Sequence, residues 1–303
     1  LDAGIQAGVR LNYSCKTGRC GTCKVNVLQG ESVAVLDEIG LTAEELTQGF
    51  IYSCCRQPLG DMQLDAEDLS EYGLTDAQVI PAKIDQLHRF NEDLLEVKLR
   101  TPPGRKIHFL PGQYIQVIYG SLKRSYSLAN ATSEELSLLI RKYPGGQLSE
   151  YWFEKAAVND LLRIEGPLGT FFIRDSNSET LLLLATGTGI APLKSILESG
   201  AHKRNKYKKV ILFWGLRKAS ELCWKIPEYL ETEIDYIPVM SRDEEWTGEK
   251  GYVQDKALAL DLDLKNCDVY ACGNIQMIHA AKEKLVAKGL PENQFYADAF
   301  LPS

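Results

Sequence analysis

The stretch Leu11–Lys24, "LNYSCKTGRCGTCK", places Cys15, Cys20 and Cys23 within nine positions, spaced C-x4-C-x2-C. A disulfide, a zinc ion, a reactive thiol or an iron–sulfur cluster held by these residues would each imply a different protein. Five of the eight cysteines (these three with Cys54 and Cys55) fall in the first 55 residues, and the rest of the chain is cysteine-poor. A local cluster of that kind favours a metal site over a disulfide framework. A zinc knuckle usually needs two C-x2-C-like pairs or Cys with His, yet only one C-x2-C pair occurs here and no histidine precedes His88. The missing histidines also exclude a Rieske centre.

The spacing that remains, C-x4-C-x2-C followed by a distant Cys, is that of a plant-type [2Fe–2S] cluster. Gly18 and Gly21 suit the wrap, because a side chain at a tight turn would keep backbone N–H groups from the sulfurs. The fourth ligand is Cys54 or Cys55. The stretch "GFIYSCCRQPLGDMQLD" resembles the closing segment of plant-type ferredoxins, and matching Pro58 and Asp61 to that segment implies Cys54, with Cys55 a packed neighbour. In those ferredoxins a β-hairpin precedes the helix that here is "LDAGIQAG". Either the chain is truncated at its start or its domain lacks that hairpin, and truncation is the expectation.

At 303 residues there is room for two or three domains. Charge divides them. Residues 1–80 hold 12 acidic and 5 basic residues, a net of −7, and the remaining 223 hold 29 of each. The acidic part is a poor nucleic-acid binder. No apolar run reaches the roughly 18–20 residues of a membrane span, and a cytoplasmic protein is expected.

The segment "MQLDAEDLSEYGLTDAQ" reads as an acidic, mobile exit from the first domain. From Val79, strand-like alternation punctuated by "TPPG", "LPGQ" and "YPGG" predicts a small antiparallel barrel. From Thr180, strands such as "TLLLLAT" and "KKVILFWGL" alternate with helical stretches, predicting a parallel α/β sheet. The expected domains are 1–73, 79–176 and 179–303.

Chemistry-bearing motifs punctuate the last two. In "RSYSLAN", Arg124 can pair with a pyrophosphate, Tyr126 can cover a flavin, the Ser127 hydroxyl can reach a redox-active nitrogen, and Leu128 comes next. In "YPGGQLSEYW", Gly145 and Gly146 lead through Gln147 and Leu148 to Ser149, which is expected to cap an anion-accepting helix. In "ATGTGIAP", Gly187, Thr188 and Gly189 fall between a buried strand and a helix, where backbone can approach a diphosphate. Pro192 stands where the third glycine of the Rossmann fingerprint belongs. "YACGNIQMIHAA" repeats the transition at Cys272, Gly273 and Met277. Arg217, Ser241, Arg242 and Lys250 could grip a 2′-phosphate, although Asp243, Glu244 and Glu245 oppose one. His88, His108, His202 and His279 are too scattered for a metal site, and Cys223, Cys267, Trp152 and Phe153 read as packing residues.

R-x-Y-S, G-G-x-x-S, G-P-x-G-x-F, G-T-G-x-A-P, W-G-x-R and C-G-x-x-x-M succeed one another in the order expected of the ferredoxin–NADP reductase superfamily, which the region from Val79 to Ser303 resembles. The resemblance implies a multidomain α+β and α/β protein. Its parts are a β-grasp plant-type ferredoxin domain, an antiparallel β-barrel FAD domain and a parallel α/β nicotinamide-binding domain. It passes to Arg124 the FAD pyrophosphate, to Tyr126 the isoalloxazine face, to Ser127 the neighbourhood of flavin N5, and to Thr188 and Cys272 the nicotinamide. A ferredoxin domain in front resembles the reductase components of bacterial oxygenases. It resembles still more the reductases of CDP-3,6-dideoxyhexose synthesis, whose ending is like "FYADAF" and puts Phe300 where the nicotinamide ring must enter. The resemblance thus implies a path from NADH, with NADPH as the other possibility, through FAD and the [2Fe–2S] cluster to a redox partner. That partner is a pyridoxamine-phosphate dehydrase or, as the alternative, an oxygenase.

Overall fold

The computed structural model describes residues 1–300. Its contacts divide into one unit spanning Leu1–Thr75 and a second starting at Asp76.

The first unit contains α1 (Asp2–Gln6), β1 (Lys24–Gln29), β2 (Ser32–Ala34), α2 (Ala43–Thr47), β3 (Phe50–Tyr52), β4 (Arg56–Pro58) and β5 (Gln63–Asp65). β1 lies between β3 and β5, antiparallel to both, and β2 pairs with β4 as a separate ribbon. This is the β-grasp ferredoxin arrangement, with a small core in which Cys23, Tyr52 and Cys55 are buried together. Thr42 caps α2 through a reciprocal box with Glu45, as T-x-x-E dictates. The acidic segment read as mobile is in fact tied down. β5 runs through it, Leu69 is fully buried, and the Leu69 amide donates to Arg10 O at 2.7 Å.

The second unit begins with β6 (Gln78–Asn91), β7 (Leu94–Arg100), β8 (Tyr114–Tyr119), β9 (Leu122–Ser127), β10 (Leu136–Arg141), α3 (Gln147–Glu150) and β11 (Leu161–Leu168). The strands are ordered β10-β7-β6-β11-β8-β9, all antiparallel. A bridge between Leu128 and Leu138, just beyond β9, joins the two edge strands and closes the barrel. Inward-facing Ile84, Val97, Leu99, Ile115, Val117, Leu138 and Ile164 fill it.

A second sheet comes after it, built from β12 (Thr180–Thr186), α4 (Ile190–Glu198), β13 (Lys209–Leu216), α5 (Glu228–Glu231), β14 (Asp235–Met240), β15 (Glu249–Lys250), α6 (Val253–Ala259), β16 (Cys267–Asn274), α7 (Ile275–Ala287) and β17 (Phe295–Phe300). Its order is β15-β14-β13-β12-β16-β17, every pair parallel. Leu181 to Leu184 are fully buried, the near-continuous apolar run that a parallel strand covered on both faces requires. Arg174, between barrel and sheet, is 2% exposed and donates to Thr170 O and Phe172 O, and its amide donates to Tyr270 Oη. No described helix is long and apolar enough to cross a membrane.

Candidate functional site

In the first unit the cysteine loop curls through left-handed backbone at Lys16, Gly18 and Gly21. Gly18 is obligatory on packing grounds too, since a Cβ there would lie 2.1 Å from Asp37 O and 2.7 Å from Cys55 Sγ. The sulfurs stand in two pairs. Cys15 is hydrogen-bonded to Cys20, and Cys23 Sγ lies 3.2 Å from Cys54 Sγ. The bond to Cys20, reinforced by the Thr17 amide, draws Cys15 down to about 4, and the bond to Cys23 draws Cys54 down to about 6. Cys20 and Cys23 are pushed up, first by those same partners and then by burial. Cys55 is different. It is fully buried, its sulfur turns to Asp37 O at 3.7 Å, and burial pushes it up to about 12. Glu38 braces the closing segment, accepting from the Tyr52 amide at 2.7 Å and from the Arg56 guanidinium at 2.7 and 3.0 Å, on either side of Cys54. Thiolates are the form that binds iron, and two thiol pairs suit a two-iron cluster in which each iron takes two cysteines.

In the barrel, β9 carries Arg124 exposed, Tyr126 half-buried and Ser127 buried. Tyr126 Oη accepts a hydrogen bond from Trp152 Nε1 at 3.0 Å, and the two rings meet edge to face. Trp152, read from sequence as packing alone, therefore also fixes the tyrosine ring. The Leu128 amide donates to Gln113 O, and Gln113 Nε2 donates to Gly169 O at 2.9 Å, so the strand end is anchored to the G-P-x-G turn. Ser149 is corrected. The cap of α3 is Gly146, and Ser149 sits inside this four-residue helix, buried, its Oγ accepting from the Tyr143 amide at 2.7 Å. Its oxygen thus serves the turn formed by Gly145 and Gly146 while its O–H is left to donate, with Gln147 exposed and Leu148 buried beside it.

The parallel sheet places the other motifs at one edge. From β12 the chain steps to β13 and β14 on one side and returns to β16 and β17 on the other, so the carboxyl ends of β12 and β16 flank the switch point where such sheets bind ligands. Gly187, Thr188 and Gly189 leave β12 there, and Gly273 is the penultimate residue of β16. A Cβ on Gly189 would lie 2.3 Å from Cys272 O, and one on Gly273 would lie 2.3 Å from Thr186 Oγ1, so both turns require glycine. Trp214 Nε1 donates to Gly187 O at 2.8 Å, and the Asn274 amide donates to Thr186 Oγ1 at 2.9 Å. Cys272 is wholly buried, in register with Ala185 and Asp298, and Met277 packs in the first turns of α7. Phe300 ends β17 opposite Asn274. Arg217, Ser241 and Arg242 gather beyond β13 and β14: the Ser241 amide and hydroxyl both donate to Leu216 O, and the Arg242 amide donates to Arg217 O.

The residue that sequence reading passed over is Asp298. It is 5% exposed on β17, and its Oδ2 accepts from Ser127 Oγ at 3.3 Å, joining the barrel to the last strand of the sheet. Its only signal was its place inside "FYADAF".

Comparison with known proteins agrees with this layout. Residues 1–59 match the 2Fe-2S iron-sulfur cluster binding domain, 81–173 the oxidoreductase FAD-binding domain and 183–283 the oxidoreductase NAD-binding domain. The CDP-6-deoxy-L-threo-D-glycero-4-hexulose-3-dehydrase reductase of Yersinia pestis is 38% identical over all of this chain and 93% of its own length. This chain belongs to the iron–sulfur flavoprotein reductases of the ferredoxin–NADP reductase superfamily. It is an oxidoreductase with FAD, NAD and [2Fe–2S] modules, built for electron transfer. Oxygenase components are also similar. The 2-halobenzoate 1,2-dioxygenase electron transfer component of Burkholderia cepacia is 30% identical to this reductase over all of the chain and 91% of the relative. The crystal structure of the Amycolatopsis cytochrome P450 reductase GcoB matches this reductase with a TM-score of 0.79 at 27% identity, covering 100% and 94% of the two chains.

Proposed function

We propose that this reductase takes electrons from NADH and delivers them to a pyridoxamine-phosphate dehydrase acting on a CDP-linked deoxyhexose, supporting removal of the C-3 hydroxyl in the cytoplasm. The observation that carries the reading is the 38% identity to the hexulose-dehydrase reductase, against 30% for the dioxygenase component, both over nine-tenths or more of the relative. FAD and a [2Fe–2S] cluster, when bound, supply the conversion of a two-electron donor's reducing power into single-electron steps.

The chain's own residues supply positioning. Cys15 and Cys20 would hold one iron, Cys23 and Cys54 the other. Arg124 is free to turn to a pyrophosphate, as its guanidinium bonds only to the neighbouring Lys123 O among the contacts described. Tyr126, held by Trp152, would cover the isoalloxazine, and Ser127 would stand at its N5. Asp298 accepts the Ser127 proton's hydrogen bond, which leaves the Ser127 oxygen lone pairs facing away from the carboxylate. The glycine turns at Gly187–Gly189 and Gly273 admit a dinucleotide backbone closely, with Thr188, Cys272 and Phe300 on the nicotinamide side.

The test mixes the purified holoprotein and NADH, without oxygen, with such a dehydrase and its CDP-4-keto-6-deoxyhexose. Formation of the 3-deoxygenated sugar supports the reading. Failure there, together with NADH-driven turnover of an oxygenase component, would replace it with the oxygenase reading, which the likeness to the dioxygenase component supports.

A further inference from the structure

A largely buried ion pair sits against the cysteine loop. The Glu38 and Arg56 side chains are 7% and 21% exposed. Arg56 donates to Glu38 Oε2 from Nη2 at 2.7 Å and from Nε at 3.0 Å, and Glu38 Oε1 accepts from the Tyr52 amide at 2.7 Å. The neighbouring backbone holds the carboxylate in place. The Val35 amide donates to Cys55 O at 2.8 Å, the Ile39 amide donates to Gly18 O at 2.9 Å, and Asp37 O lies against Cys55 Sγ. The segment bearing Glu38 is thus tied both to the loop that carries Cys15, Cys20 and Cys23 and to the stretch that carries Cys54. Arg56 stands two residues beyond Cys54. Lys16, in the cysteine loop itself, pairs with Asp2 at the surface, where the two side chains are 38% and 78% exposed and water screens them far more.

A buried ion pair adds little net stability, because desolvation offsets the attraction between its members. Its two fixed charges nevertheless act on a neighbouring redox centre with little screening. Reducing a [2Fe–2S] cluster adds one negative charge to it. A fixed carboxylate opposes that charge, a fixed guanidinium favours it, and cluster potentials respond to net charge and solvent exposure. We propose that Glu38 and Arg56 set the reduction potential of the [2Fe–2S] cluster, as a balanced pair of opposite charges held beside its ligand loop. The role concerns the cluster alone and is the same whichever nucleotide or partner protein the reductase uses.

The test is a redox titration of the holoprotein, followed by the electron paramagnetic resonance of the reduced cluster, with iron and sulfide content measured alongside. Glu38→Gln keeps an acceptor for the Tyr52 amide and leaves the Arg56 charge unopposed. The cluster should become easier to reduce, its reduced-to-oxidised ratio at a fixed ambient potential rising about tenfold, or about 59 mV for a one-electron couple. Arg56→Gln leaves the Glu38 charge unopposed, and the ratio should fall by a similar factor. The double variant Glu38→Gln/Arg56→Gln, and Arg56→Lys, should both stay near the parent. If Arg56→Gln does not retain its cluster, comparing Glu38→Gln with the double variant reads the same guanidinium. Opposite shifts that cancel in the double variant support the pair. Shifts in one direction for both single variants, or an unmoved potential in variants that keep iron and sulfide, overturn it. Loss of iron from all the neutral variants assigns the pair to folding of the loop and overturns it equally.

Discussion

Ser127 and Asp298 are 171 residues apart in sequence, yet the Ser127 hydroxyl donates to the Asp298 carboxylate at 3.3 Å. One residue closes a barrel strand and the other belongs to the last strand of the parallel sheet, so the contact exists only when both layers are assembled. We expect Asp298→Ala to slow flavin reduction by NADH roughly 10- to 100-fold, toward the range of a lost acid–base partner. Nucleotide affinity should stay unchanged. Stopped-flow absorbance would read both; an unaltered rate removes Asp298 from the working site.

The two adjacent cysteines should behave oppositely. Cys54→Ser is expected to abolish the iron–sulfur absorbance, whereas Cys55→Ser should retain iron and sulfide. Cys55 is fully buried with its sulfur against Asp37 O, so its substitution should lower stability by about 1 kcal/mol. Metal analysis and thermal melting separate the two effects.

Gly189 has no room for a methyl group. Its Cβ would meet Cys272 O at 2.3 Å, Cys272 C at 2.6 Å and Gly273 Cα at 2.8 Å, all backbone. Gly189→Ala should therefore cost about 1–3 kcal/mol by overpacking. NADH binding should weaken while FAD content stays near that of the parent, as flavin absorbance and calorimetry would report.

His202 gives the second unit a dependence on acidity. It is 4% exposed, its Nδ1 has no hydrogen-bond partner among the described residues, and neither the Ile196 backbone nor Glu233, 40% exposed and 3.9 Å from Nε2, offsets the burial. Desolvation, aided by Lys203, holds the imidazole below its ordinary value near 6.5. Above that value the ring is neutral in both folded and unfolded chains and contributes no slope. As pH falls below it, the unfolded chain binds the proton first, so stability is lost in that direction. Melting temperature measured from about pH 7.5 to 5, a range that brackets the histidine's ordinary value, should fall, and His202→Gln should flatten the fall; an identical slope would rule the histidine out.

Much of this was legible in the amino-acid order, for reasons that differ by element. Buried parallel strands advertise themselves as runs like Leu181–Leu184, and glycine turns as residues that nothing else can replace, such as Gly18 and Gly189. The cysteine spacing carried the iron–sulfur loop. What sequence could not give were relations set by packing. Asp298 looks like any strand carboxylate until Ser127 is brought to it. Trp152 looks like core until its indole N–H meets Tyr126 Oη. Ser149 has the composition of a cap, but the helix already begins at Gly146, and the hydroxyl is left to serve Tyr143. Arg174 is a buried cation that no local pattern announces.

The turn from Gly187 to Gly189 is pinned on both flanks, by the Trp214 indole on one side and by the Cys272–Gly273 backbone on the other. On the dinucleotide placement proposed above, it stands as a rigid sill between the adenosine end, at Arg217 and Arg242, and the nicotinamide end, beside Cys272, and changes at the first need not propagate to the second. An engineer could thus retune which coenzyme is accepted while leaving the chemistry of electron release untouched.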